Sequence, residues 1–101
     1  MTPPDACQTM TEVREGVDAI DRELSALIGR RFRYMDAAAR LKPRRDLVRD
    51  EARKAQVLAH ARASAEANGW PPHVAVTLWE QLVEASIAYE FDAFDARARG
   101  D

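Results

Sequence analysis

Between Gln8 and Lys42 the chain carries no proline, and Met10, Val13, Val17, Ile20, Leu24, Leu27, Phe32, Tyr34, Met35, Ala38 and Leu41 recur mostly at steps of three and four. That spacing is the helical period and close to a heptad repeat, and no strand alternation competes with it. It predicts one helix that starts near Thr9 or Thr11, with a threonine as N-cap and Glu12 or Glu15 in the first turns, and that stops at Pro43. At 1.5 Å per residue such a helix is a rod of roughly 45 to 50 Å. A lone chain of 101 residues forms a globule much narrower than that, so the rod requires a partner along its length.

The remaining breakers divide the rest of the chain. A second helix is expected to begin between Asp46 and Asp50, to turn Val57, Leu58, Ala61 and Ala65 inward, and to end at Asn68-Gly69, where glycine suits a left-handed cap. Pro71-Pro72 then forces a corner. A third helix is expected from about His73 to Arg97, with Val74, Leu78, Trp79, Leu82, Val83, Ile87, Tyr89, Phe91 and Phe94 as a wide apolar surface, followed by a frayed tail from Arg99. The chain holds no internal repeat and no low-complexity tract, so residues 1–101 read as one all-α domain, a three-helix subunit in a dimeric bundle.

Charge and composition narrow the function. A formal charge of −2 argues against a protein whose task is to neutralise a phosphate backbone, so no nucleic-acid partner is expected. The one cysteine, Cys7, builds neither a disulfide framework nor a zinc site and has no neighbouring base to activate it. His60 and His73 lack ligand spacing, so no metal is expected. No basic stretch followed by an apolar run opens the chain, and no apolar run approaches the ~18 residues that span a bilayer. The expected location is the cytoplasm.

Most charges read as solvated helix faces, such as Asp18 with Arg22 and Asp36 with Arg40 at i,i+4. The informative ones interrupt the apolar stripe. Arg31 and Lys42 continue the line of Ile28, Met35 and Ala38, so both cations project from the face that builds the core. An unpaired buried cation costs several kcal/mol, so an anion of the protein or of a ligand must meet them. Lys42 follows Arg31 by eleven residues, about 16 Å along the axis, a gap that two long side chains close around a small dianion. Arg14 precedes Arg31 by seventeen residues, roughly 25 Å on a straight rod, and reaches the same ligand only from an antiparallel partner helix. On the third helix Ser86 and Glu90 fall in line with Trp79, Val83 and Phe94, which turns two polar groups toward the core, and Asp50 and Arg53 add an acid and a base one turn apart. The alternative for each is structural: a snorkelling arginine, an internal pair such as Arg31 with Glu90, or a helix N-cap at Asp50.

This constellation resembles the all-helical AroQ class of chorismate mutases, including the related isochorismate-pyruvate lyases. The resemblance runs over nearly the whole chain through Val13-Arg14-Glu15-Gly16-Val17-Asp18-Ala19-Ile20-Asp21, Arg30-Arg31, Ala38-Ala39-Arg40-Leu41-Lys42, Val48-Arg49-Asp50-Glu51-Ala52-Arg53 and the Ser86 to Glu90 turn. It implies an intertwined homodimer with paired first helices and two identical, cofactor-free sites that bind a small dianion. In the family pattern Arg14 from one chain, with Arg31 and Arg53 from the other, holds substrate carboxylates. Lys42 contacts a carboxylate and the ether oxygen, Asp50 a ring hydroxyl, and Ser86 helps to orient a carboxylate.

Two positions depart from the pattern. Glu90 stands where bacterial mutases usually carry a glutamine that donates to the ether oxygen, so activity is expected to rise toward acidic pH. Lys54 stands where those mutases commonly carry a glutamate facing the hydroxyl. The resemblance implies a chorismate mutase that converts chorismate to prephenate, with isochorismate-pyruvate lyase or dual activity as the near alternative. A non-catalytic helical interaction module, whose core charges set helix register, is the distant one.

Overall fold

A computed structural model describes residues 1–100, and they form three α-helices with two short 3-10 turns and no strand. Helix α1 is Met10–Leu41, α2 is Glu51–Asn68 and α3 is Pro72–Ala98; the 3-10 turns are Pro4–Ala6 and Arg45–Leu47. The fold is therefore the all-α, three-helix arrangement read from the sequence, with each boundary within a residue or two of expectation; α2 starts one residue past the late end of its expected range.

Local chemistry explains each end. Thr9 caps α1: its hydroxyl oxygen accepts the Glu12 amide at 3.2 Å, and the Glu12 carboxylate accepts the Gln8 amide at 3.2 Å and the hydroxyls of Thr9 and Thr2 at 3.2 and 3.0 Å. This is the reciprocal logic of a capping box, shifted by one residue. The Gln8 amide first, and the Thr2 hydroxyl second, hold the Glu12 carboxyl below the usual carboxylate range. The other end of α1 closes with the Lys42 amide on the Ala38 carbonyl at 3.0 Å, just before Pro43. Asp50 is the N-cap of α2, accepting the Arg53 amide at 3.0 Å. Residues 45–47 use their own 3-10 turn, which is why α2 begins at Glu51 and not earlier. Gly69 ends α2 in the left-handed region, φ 78°, with the Trp70 amide reaching back to the Ala65 carbonyl at 3.1 Å.

The chain divides into two compact units, Met1–Tyr34 and the remainder from Met35. In the first, the apolar stripe of α1 faces outward: Val13, Val17, Ile20, Leu24, Leu27 and Ile28 are 39 to 54% exposed. Cys7 is a half-buried free thiol there.

In the second unit α2 packs against α3. Ala61, Ala65 and Ala75 form one buried cluster, flanked by Trp70 and Trp79; their small side chains let the two backbones approach. Val48, Val83 and Ile87 form another, with Val57, Phe91 and Phe94 against it. The buried face of α3 is thus the row Ala75, Trp79, Val83, Ile87 and its neighbours Ser86 and Glu90. Val74 and Leu78, expected inward, lie on the adjoining row and stay exposed, because α2 covers only one side of this helix. No helix among the described residues is long and apolar enough to cross a membrane.

Gly69→Ala tests the α2 terminus. A Cβ built there meets no atom within 4 Å, so the loss is purely conformational, about 1 kcal/mol, and urea unfolding followed by circular dichroism should show it without a change in m-value.

Candidate active site

The end of α1 delivers Lys42 toward α3. Its Nζ lies 2.5 Å from Glu90 Oε2 and 3.4 Å from the Val48 carbonyl oxygen. Glu90 is nearly enclosed, with 6% of its side chain exposed, whereas Lys42 keeps 28%. The anion that meets this core-facing cation is therefore supplied by the protein itself. Val48 is buried as a core anchor, and that burial fixes its carbonyl as the second acceptor. An ammonium has three N–H donors. Two are used here, which leaves one donor.

Ser86, one turn before Glu90, is buried as the sequence pattern expects, and its hydroxyl donates to the Leu82 carbonyl at 2.6 Å. Asp50 and Arg53 meet at the start of α2 through the cap, and the Arg53 guanidinium donates to Gln56 on its own helix. Both are exposed and neither hydrogen-bonds to the Lys42–Glu90 pair. Arg14 and Arg31 belong to the first unit; Arg14 is exposed on α1, and Arg31 is half-buried and already has an interacting partner. Within one chain the structure thus joins Lys42 to Glu90, sets Ser86 beside Glu90, and pairs Asp50 with Arg53. An open cleft of about 200 Å³ lies beside Lys42, lined also by Ala39, Arg40, Phe94, Arg97 and Ala98. It adds two arginines to the surroundings of Lys42.

Polar contacts that sequence reading missed fasten the connection from α1 to α2. Arg45 makes a two-pronged pair with Asp95, at 2.8 and 3.3 Å, and lies over the Phe91 ring, 4.4 Å from its centroid. Arg49 pairs with Glu84 at 2.8 and 3.2 Å, and Lys54 bonds to Glu80 and Glu84 at 2.7 and 2.8 Å. The loop from Lys42 to Arg49, whose length and charge suggest a mobile lid, is therefore tied at both ends. Arg49 and then Lys54 hold the Glu84 carboxyl down at about 2, so it stays ionised through the whole neutral and mildly acidic range. Glu80, followed by Glu84, raises the Lys54 ammonium. The Lys54 amine is committed to α3, which explains how a cation is accommodated at that position. The only sequence signal was the i,i+4 spacing of Glu80 and Glu84, which alone does not say what they face.

Comparison with known proteins identifies the family. Residues 13–91 match the family described as chorismate mutase type II. Over 88 residues the chain is 31% identical to the isochorismate pyruvate lyase of Pseudomonas aeruginosa, covering 87% of each protein. The chain belongs to the type II chorismate mutase family.

The buried pair makes an energetic prediction. Lys42→Met leaves the Glu90 carboxylate enclosed without its cation, whereas Lys42→Met/Glu90→Gln removes both charges. At neutral pH the single variant should be less stable than the double variant by about 1 to 3 kcal/mol, measured by chemical denaturation; equal stabilities would mean that Glu90 does not depend on Lys42.

Proposed function

We propose that this protein is a chorismate mutase, a cofactor-free cytoplasmic enzyme acting as a homodimer on a small dianion. The observation that carries this reading is the Lys42 ammonium, oriented by Glu90 and the Val48 carbonyl with one donor left over. Rearrangement of chorismate to prephenate breaks the enolpyruvyl ether C–O bond as a C–C bond forms, and negative charge grows on the ether oxygen. A preorganised cation beside that oxygen stabilises the transition state more than the ground state. The remaining task is to hold the substrate in its compact reactive conformer, which multiple carboxylate-binding cations accomplish.

In this reading Arg31 and Arg53 of one chain and Arg14 of the second copy hold the carboxylates, Asp50 takes a ring hydroxyl and Ser86 orients a carboxylate. Two features support a shared site. The outward apolar stripe on α1 is what a paired helix would cover. The open cleft beside Lys42 is lined by Lys42 alone among the proposed site residues, so a ligand there needs further groups to enclose it. Glu90 acts by orienting Lys42.

A second reading, isochorismate-pyruvate lyase, is favoured by the curated relative of that name. In that reaction the same ether bond breaks while a ring hydrogen moves to the enolpyruvyl methylene, so the same cationic surroundings serve. The commitment of Lys54 to α3 also leaves no acidic group at that position to take a ring hydroxyl.

Turnover of chorismate and isochorismate in parallel from about pH 5 to 8, with prephenate, salicylate and pyruvate quantified, decides between the readings. Prephenate from chorismate supports the mutase, dominant salicylate plus pyruvate the lyase, and silence on both overturns the two. Lys42→Met/Glu90→Gln should lose about 10²- to 10³-fold in kcat while remaining folded. Arg14→Ala subunits mixed with Lys42→Met subunits should regain activity, because each heterodimer carries one intact shared site; verified heterodimers without rescue would refute the sharing of Arg14.

A further inference from the structure

We propose that Glu84 is a positioning residue: it clamps the Asp50–Arg53 turn to α3, and so fixes the substrate-binding groups of α2 relative to Ser86 and Glu90. The inference rests on the reading that this turn binds substrate. Arg49 lies immediately before the turn and Lys54 immediately after it, and both deliver their cations to the one Glu84 carboxylate. Arg49 approaches in a fork, at 2.8 Å to Oε1 and 3.2 Å to Oε2, while Lys54 takes Oε2 at 2.8 Å and Glu80 at 2.7 Å. Glu84 stands two residues before Ser86 and six before Glu90 on α3. One side chain therefore spans the two halves of the site.

Packing cannot do this alone. Residues 49–53 are all exposed, between buried Val48 and half-buried Lys54, so the turn has no apolar anchor of its own. The apolar contacts of α2 with α3 lie further along, at Val57, Ala61 and Ala65. A single exposed ion pair contributes little, but a forked arginine and a lysine converging on one carboxylate make a geometrically defined network. Without it the turn samples more orientations, and apparent affinity falls in proportion to the competent fraction. The chemical step is made by Lys42, which Glu84 does not touch, so it should proceed normally once substrate is bound.

The test compares wild type, Glu84→Gln and Glu84→Asp by steady-state kinetics on the better substrate and by amide hydrogen exchange. Glu84→Gln should raise KM about 3- to 10-fold with kcat within about twofold. Exchange should accelerate at Arg53 and Lys54, whose amides are bonded to Asp50, and stay unchanged at 61–65 and 83–87. Glu84→Asp, which keeps the charge, should recover most of both effects. Unchanged KM and exchange, a fall in kcat at constant KM, or faster exchange throughout α2 and α3 would each overturn the clamp. If wild type turns over neither substrate, the functional reading fails, yet the exchange comparison still stands on its own: local acceleration upholds the clamp and its absence overturns it.

Discussion

The ion pair between Lys42 and Glu90 is the constraint on which the C-terminal unit is organised. It joins the end of α1 to the middle of α3 at a place where almost no water reaches the carboxylate. Such a pair is not cheap stability, because removing two charges from water costs several kcal/mol that the attraction only partly offsets. What it gives is geometry: Lys42 is fixed by two acceptors, Glu90 and the carbonyl of a core residue, and neither can move without disturbing packing. A cation held this way is suited to meeting charge that develops during a reaction, since little reorganisation remains to be done.

The rest of the unit is built outward from that point by two kinds of contact. Alanines at 61, 65 and 75 bring α2 and α3 close at one end, with the two tryptophans covering the junction. Toward the other end the packing gives way to charge, with Arg45 on Asp95 and Phe91, and Arg49 and Lys54 on Glu84. Apolar packing thus sets the frame, while exposed ion pairs hold the connection from α1 to α2 and the first turn of α2. The first unit has the opposite character, a capped helix whose apolar stripe remains outward.

Membership of the type II chorismate mutases accounts for why so few residue types carry the inferred chemistry. A pericyclic reaction asks for conformer selection and charge stabilisation, and arginines, one lysine and a few hydrogen-bonding groups supply both. Mutase and lyase break the same ether bond, so a chain can sit near both on one scaffold. The two departures, Glu90 and Lys54, fall on opposite sides of this balance. Glu90 keeps a structural duty toward Lys42, whereas Lys54 has been drawn into the α2–α3 network and away from any ligand.

The sequence by itself determined the three helices and nearly all their ends, because proline, glycine and capping residues act within a few positions of themselves: Thr9 with Glu12, Asp50 with the Arg53 amide, Gly69 at φ 78°. It also showed that Lys42, Ser86 and Glu90 face inward, since the helical period places them on the apolar row. It did not tell which anion meets Lys42, nor that Val74 and Leu78 stay outward, because a period defines a face but not its neighbour. The Arg49–Glu84–Lys54 network and the Arg45 anchorage were illegible for the same reason, linking residues 30 to 50 positions apart. Only tertiary packing decides which charged faces meet, and charges on exposed helix surfaces carry no pattern that names their partner.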